Sequence, residues 1–234
     1  MMNTSTAGPG IIIVPQQEFN SYGESRKLIE YITRTGRRSN QSDDLLIIGA
    51  RGVQISQGIE TVIHQFEQIQ GMYKPRCHTY GRHCHHEFYC LNDTLIGLCP
   101  FLFDRENMEE LAYRLSDVYW EKGHQVVYAV HCPNENTGHY HIHFAVNSIC
   151  LENGHKWNTT ENYRQKRGRL FNDITMQLVE ELLNNIYFDY NFDLRNDEIL
   201  SHDLFLHFKS ILNTKSFALN KRNPLLNTIK TNFP

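Results

Sequence analysis

The sequence predicts an α+β fold, an antiparallel β-sheet with helices packed mainly on one side. Three observations lead there. Segments with a two-residue alternation and segments with helical periodicity follow one another along 234 residues, a length that suits one core. The two clearest strands, Gln125–His131 and His139–Ile149, are separated only by residues 132–138, too short for the crossover that a parallel pair needs. Two strongly amphipathic helices, 105–122 and 171–186, each carry one apolar stripe and need a sheet face to cover.

The elements follow in order. Ile11–Pro15 is a short strand. Ser21–Thr35 has helical character and ends at Gly36. Leu45–Ile48 is a buried-strand candidate. Gly58–Ile69 carries Ile59, Val62, Ile63 and Phe66 at helical spacing and stops at Gly71. Arg82–Leu91 is a polar strand. Asp104 is a good N-cap for Arg105–Lys122, where Met108, Leu111, Ala112, Leu115, Val118 and Tyr119 form the stripe and Gly123 closes the helix. Phe171–Ile186 repeats the pattern with Ile174, Leu178, Leu182 and Leu183. Beyond Tyr190 the chain turns polar, with a short helix expected over Asp197–Ile211. There are no repeats and no low-complexity block.

Composition excludes several classes. With 40% hydrophobic and 21% charged residues this is an ordinary globular chain, and a net charge of −3 argues against a uniformly basic nucleic-acid binder while leaving room for a local basic groove. The apolar run Ile11–Val14 is too short for a signal peptide or a membrane span, so a soluble, cytoplasmic protein without membrane insertion is expected. In that setting the six cysteines read as free thiols or metal ligands rather than disulfides. The unusual count is histidine: of 13, nine fall between His78 and His143.

The strand HYHIHFAVN, 139–147, explains part of that excess. Alternation puts His139, His141, His143, Ala145 and Asn147 on one face, and Tyr140, Ile142, Phe144 and Val146 on the other, which must be the core face. His131 ends the preceding strand and is carried alongside by a hairpin. Neutral imidazole is a common metal ligand, and three such ligands with positions left open describe a catalytic centre. The bland alternative is a solvated, histidine-rich strand face. A second cluster, Cys77 to Cys90, lacks paired CxxC knuckles; an exposed strand with one inward histidine is the default there, and a structural zinc site the alternative.

Two further segments carry chemistry. On the first helix, Lys27, Tyr31, Arg34 and Arg38 fall on one face, opposite Leu28, Ile29 and Ile32. Nearby cations favour a phenolate and attract a phosphate, the layout of a tyrosine nucleophile; a boundary tyrosine on an amphipathic helix is the alternative. From His155 to Arg169, Lys156, Arg164, Lys166, Arg167 and Arg169 are interleaved with Trp157 and Tyr163, a pattern that fits single-stranded nucleic acid, or else a solvated helix start. Arg82 adds positive charge.

Together these motifs resemble the conjugative relaxases, or mobilization endonucleases, of the His-hydrophobe-His superfamily. The leading His is His131; the pair and its apolar run read His141-Ile142-His143-Phe144-Ala145-Val146-Asn147, with His139 as the extra histidine; LIEYITR resembles the nucleophile segment; and GRHCHHEFYCL resembles the second-strand motif, with His86 at its histidine. The resemblance spans about residues 10–185. It implies a relaxase nuclease domain over 10–190, after a flexible leader 1–9 and before a C-terminal helical extension, 191–234, shortened relative to many relaxases. It implies that Tyr31 attacks single-stranded DNA at a transfer origin, forming a 5′-phosphotyrosyl bond that is later rejoined. It also implies a divalent ion, Mg²⁺ or Mn²⁺, on His131, His141 and His143. His139, Glu135 and His86 become metal or supporting residues, and Lys27, Arg34, Arg38, Arg82, Lys156, Trp157, Arg164, Lys166 and Arg167 contact DNA. The implied partners are accessory relaxosome proteins and a secretion coupling protein. Where the family carries an acid two residues after the leading His, this chain has Pro133, with Asn134 and Glu135 as substitutes. The rival readings are a metal-dependent phosphodiesterase without a covalent intermediate and a zinc-stabilised nucleic-acid-binding module.

Overall fold

The computed structural model describes residues 8–15, 19, 21–36, 44–73, 83–134 and 137–193, without the side chains of Tyr22 and 186–193. In chain order the elements are β1 (Gly10–Ile13), α1 (Tyr22–Ile32), β2 (Leu45–Arg51), α2 (Ile59–Tyr73), β3 (Cys84–Leu91), α3 (Thr94–Leu98), α4 (Arg105–Trp120), β4 (Val126–His131), β5 (His141–Asn147) and α5 (Glu161–Asp193). The five strands form one sheet in the order β1-β3-β5-β4-β2, every pair antiparallel. The leader to residue 7, most of the C-terminal extension, and Cys77 and His78 of the second cluster lie outside the described residues.

The antiparallel sheet and the α+β class agree with expectation, but helices cover both faces. On one, Ile142, Phe144 and Val146 of β5 and Val126, Tyr128 and Val130 of β4 pack under the stripe of α4 and under Phe171, Leu178 and Val179 of α5. On the other, Leu28, Ile29 and Ile32 of α1 and Val62, Ile63 and Phe66 of α2 cover Val127, Ala129 and Ala145. This second layer follows from the small residues at Ala129 and Ala145, which let a helix approach the sheet closely.

Local signals explain most boundaries. Ser21 caps α1 through a hydrogen bond from the Glu24 amide, 3.3 Å. Gly123 (φ +77°) follows α4 in a left-handed conformation that spares a side chain from striking Cys150 Sγ. Several boundaries differ from the sequence reading, three of them with consequences. α2 runs through Gly71 to Tyr73. β5 begins at His141, so residues 132–140 form the connection from β4. α5 begins at Glu161, ten residues early, because the basic run is itself made of good helix formers.

That early start has a reason on the sheet. Glu87 on β3 faces the α5 side and is fully buried. Arg167 of α5 grips its carboxylate from two nitrogens, Tyr119 Oη donates at 2.7 Å, and His85 Nε2 lies 2.7 Å away. The Arg167 guanidinium also stacks on buried Trp157, 4.9 Å from the ring centre. Burial opposes ionisation of Glu87, but these partners outweigh it and hold the carboxyl down at about 2.

Replacing Glu87 by Gln strands the Arg167 charge in the core and should lower the unfolding free energy by about 3–5 kcal/mol at neutral pH. The unfolded carboxyl takes up its proton near 4.5, the native one near 2. The contribution is therefore complete above pH 4.5 and decays as pH falls to about 2. Urea melts across that window measure both; a Glu87→Gln protein as stable as wild type would refute the pairing.

Candidate metal centre and nucleophile

Strand pairing assembles the histidines. β4 and β5 set His131 directly opposite His141, and Ala129 opposite His143. β3 sets Phe88 opposite His143 and His86 opposite Ala145. Alternation puts these side chains on the α1 face, where His131, His141 and His143 are all buried. Their rings are 4.5 Å (His131–His143), 4.8 Å (His141–His143) and 5.2 Å (His131–His141) apart. One ligand nitrogen from each lies within 4.8 Å of the others.

Burial keeps all three neutral. It pushes His141 down to about 4, and His131 and His143 also down, with neighbouring histidines adding to the effect. Hydrogen bonds to backbone carbonyls fix the tautomers of His131 and His141. His141 Nδ1 lies 3.0 Å from the His139 carbonyl, which can only accept, so Nε2 carries the lone pair. His143 Nδ1 lies 2.9 Å from His86 Nε2, and His143 Nε2 is buried with no hydrogen-bond partner. His131 Nε2 donates to the Ile32 carbonyl at 2.7 Å, leaving its lone pair on Nδ1. A neutral, converging nitrogen set with one orphaned buried atom is a good fit to a divalent cation.

Tyr31, in the last turn of α1, stands beside this cluster. Its ring centre is 5.7 Å from that of His143 and 6.4 Å from that of His86, and 40% of the residue is exposed. Loss of water pushes its hydroxyl above the usual value, and Arg34 pulls it part-way back. The expected lowering by a basic face is thus not what results: Lys27 is exposed, Arg38 lies outside the described residues, and burial outweighs Arg34.

The group that sequence reasoning missed is Asp44. It accepts from Arg34 Nε (2.9 Å) and Nη2 (2.7 Å), and from Asn134 Nδ2 (2.8 Å). Burial works against ionisation, but the Arg34 hydrogen bonds outweigh it and hold the Asp44 carboxyl below its usual range. Pro133 leaves the position two residues after His131 without an acid; Asp44 brings a carboxylate to the same end of β4 from just before β2, where Leu45 pairs with His131.

The family model of the MobA/VirD2-like relaxase nuclease domain matches residues 31–178, from Tyr31 through the histidine strand into α5. This chain belongs to that relaxase family. A search of curated proteins gives no match. The relaxase nuclease domain nicks DNA during mobilization, so endonuclease activity and DNA binding follow at the level of the family, and the histidine triad could hold a metal ion.

Other expected site residues of this relaxase fall in different places. His86 sits behind His143 as its hydrogen-bond partner. His139 is outside the strand and engages Asp93 at 2.7 Å, so it is not one of the converging three. Arg167 and Trp157 are turned inward and buried, which removes them from a DNA-facing role. Tyr163 and Lys166 are exposed and lie against one another, Lys156 is half-buried, and Arg164 pairs with Glu161. Arg82 and Glu135 lie outside the described residues. Among the described residues the group with metal-ligand geometry is His131, His141 and His143, with no cysteine in it, while Cys77 and His78 of the zinc alternative lie outside the described residues. No described helix is long and apolar enough to cross a membrane.

Manganese at a hundredfold excess over its dissociation constant should raise the unfolding free energy by about 2.7 kcal/mol, read as a higher melting temperature. His143→Ala should abolish the rise. An equal rise in that variant would place the ion elsewhere.

Proposed function

We propose that the chain cuts and rejoins one strand of single-stranded DNA at a transfer origin through a covalent Tyr31 intermediate. The observation that carries this reading is the position of Tyr31, in ring contact with His143 while open to solvent. The Tyr31 oxygen loses its proton to water and attacks the scissile phosphorus. The P–O3′ bond breaks, the 3′-oxygen leaves and is protonated, and the 5′-phosphate stays on Tyr31. Rejoining is the reverse: the 3′-hydroxyl attacks the phosphotyrosine and returns the hydroxyl to Tyr31. His131, His141 and His143 would hold a divalent ion, which supplies Lewis-acid polarisation of the phosphate when bound. Arg34 offers positive charge beside the attacking oxygen.

Mg²⁺ and Mn²⁺ are the candidate ions. Three imidazoles favour Mn²⁺, since Mg²⁺ prefers oxygen ligands. DNA would enter past Tyr31, with exposed Lys27, one turn earlier on the same face of α1, available for phosphate pairing. Cytoplasmic relaxosome proteins and a secretion coupling protein are the proposed partners, and 10–190 the proposed catalytic unit.

An end-labelled single-stranded oligonucleotide carrying the cognate origin, incubated with protein and Mn²⁺, should give an SDS-stable adduct with the fragment 3′ of the nick. Tyr31→Phe should give none. Cleavage that persists in Tyr31→Phe without an adduct would instead establish a metal-dependent hydrolase.

A further inference from the structure

The chain keeps an arginine where helix ends usually keep glycine. Arg34 follows the α1 cap residue Thr33 with φ +56°, the one non-glycine positive φ among the described residues. Its side chain is almost fully enclosed, 6% exposed. Two nitrogens bind Asp44, Nη1 donates to the Tyr31 carbonyl at 3.2 Å, and the group lies 5.0 Å from the centre of the Tyr31 ring. The fourth contact is the informative one: Nη2 lies 3.1 Å from His131 Nδ1.

A neutral imidazole has a single in-plane lone pair. The Ile32 carbonyl accepts a hydrogen bond from the Nε2–H of His131, so that lone pair is on Nδ1 and points at Arg34. A guanidinium N–H and a metal ion cannot both use it. Arg34 carries a permanent charge and cannot withdraw by losing a proton.

Resting on the assignment of His131 as a metal ligand and Tyr31 as nucleophile, we propose that Arg34 competes with the ion for His131 Nδ1 and that metal loading transfers its Nη2 donor to the reacting oxyanion. The Asp44 pair keeps the guanidinium in place during the exchange, so the donor changes partner and the arginine stays. Arg34 already engages the Tyr31 side chain by a hydrogen bond, so the released Nη2 donor adds to that contact on the phenolate or serves the phosphate it attacks. Metal binding and stabilisation of the nucleophile then share one residue, and each favours the other.

The test compares Mn²⁺ affinity by calorimetry in wild type, Arg34→Lys and His131→Ala. Lysine keeps the charge and an Asp44 partner but has no fork to serve His131 at the same time. Arg34→Lys should bind Mn²⁺ about tenfold more tightly, the worth of one charge-assisted hydrogen bond, and should nick more slowly. A damaged fold would lower the affinity, so a gain separates competition from a structural role. Unchanged or weaker binding in Arg34→Lys, with His131→Ala unable to bind, overturns the competition and leaves the metal centre standing. Binding by His131→Ala at wild-type strength overturns the metal assignment and the competition with it. The wild-type protein carries a parallel test at fixed pH: Zn²⁺ should shift the His131 Nδ1 and Arg34 guanidinium resonances together in ¹⁵N spectra. Movement of His131 with Arg34 unmoved overturns the proposal.

Discussion

Three imidazoles packed under one helix and away from water must stay uncharged, and that requirement reaches through the rest of the molecule. Each ring needs a proton on one nitrogen and a partner for it. His141 uses the carbonyl of His139 in its own chain segment and His131 the end of α1, while His143 shares a proton-bearing contact with His86 on the neighbouring strand. The bond from His131 ties the cluster to the helix that bears Tyr31. The same carbonyl that fixes a tautomer therefore also fixes where the nucleophile stands.

The two faces of the sheet divide the work. The α1 face has small residues, Ala129 and Ala145, beside the histidines, which make room for polar rings. The α4–α5 face is large and mainly apolar around one buried polar group, Glu87 with its partners from α4, α5 and β3. The Glu87–Arg167 pair lies directly behind a histidine-bearing strand and holds the first turns of α5 against it. Those turns include Tyr163 and Lys166, so a pair buried in the core orients an exposed surface.

Much of this was legible in the sequence. A strict two-residue alternation fixes which face His141 and His143 share, and a short connection forces β4 beside β5, so His131 follows. The stripe of α4 and its glycine stop were readable for the same reason: periodicity and local backbone chemistry are written in adjacent residues. Asp44 was not legible, because it sits in a polar stretch without periodicity and reaches Arg34 and Asn134 only through the pairing of β2 with β4. Trp157 and Arg167 were read as a nucleic-acid surface because a cation beside an aromatic looks the same in sequence whether it faces water or the core. The segment around Glu87 was read as an exposed polar strand, but β3 is buried throughout, so its acid needs a buried cation, and Arg167 in the basic run supplies it.

The close of α1 sets one more condition. Its last turn leaves carbonyls that the helix itself cannot satisfy, and two of them, at Tyr31 and Ile32, are taken by Arg34 and His131. The helix is thereby indexed in rotation as well as in length. One residue inserted between Ile29 and Tyr31 would turn the tyrosine by about 100° around the axis and carry it off the histidines. Natural variation in this stretch should accordingly proceed by substitution, with insertions and deletions confined to the connections on either side of the helix.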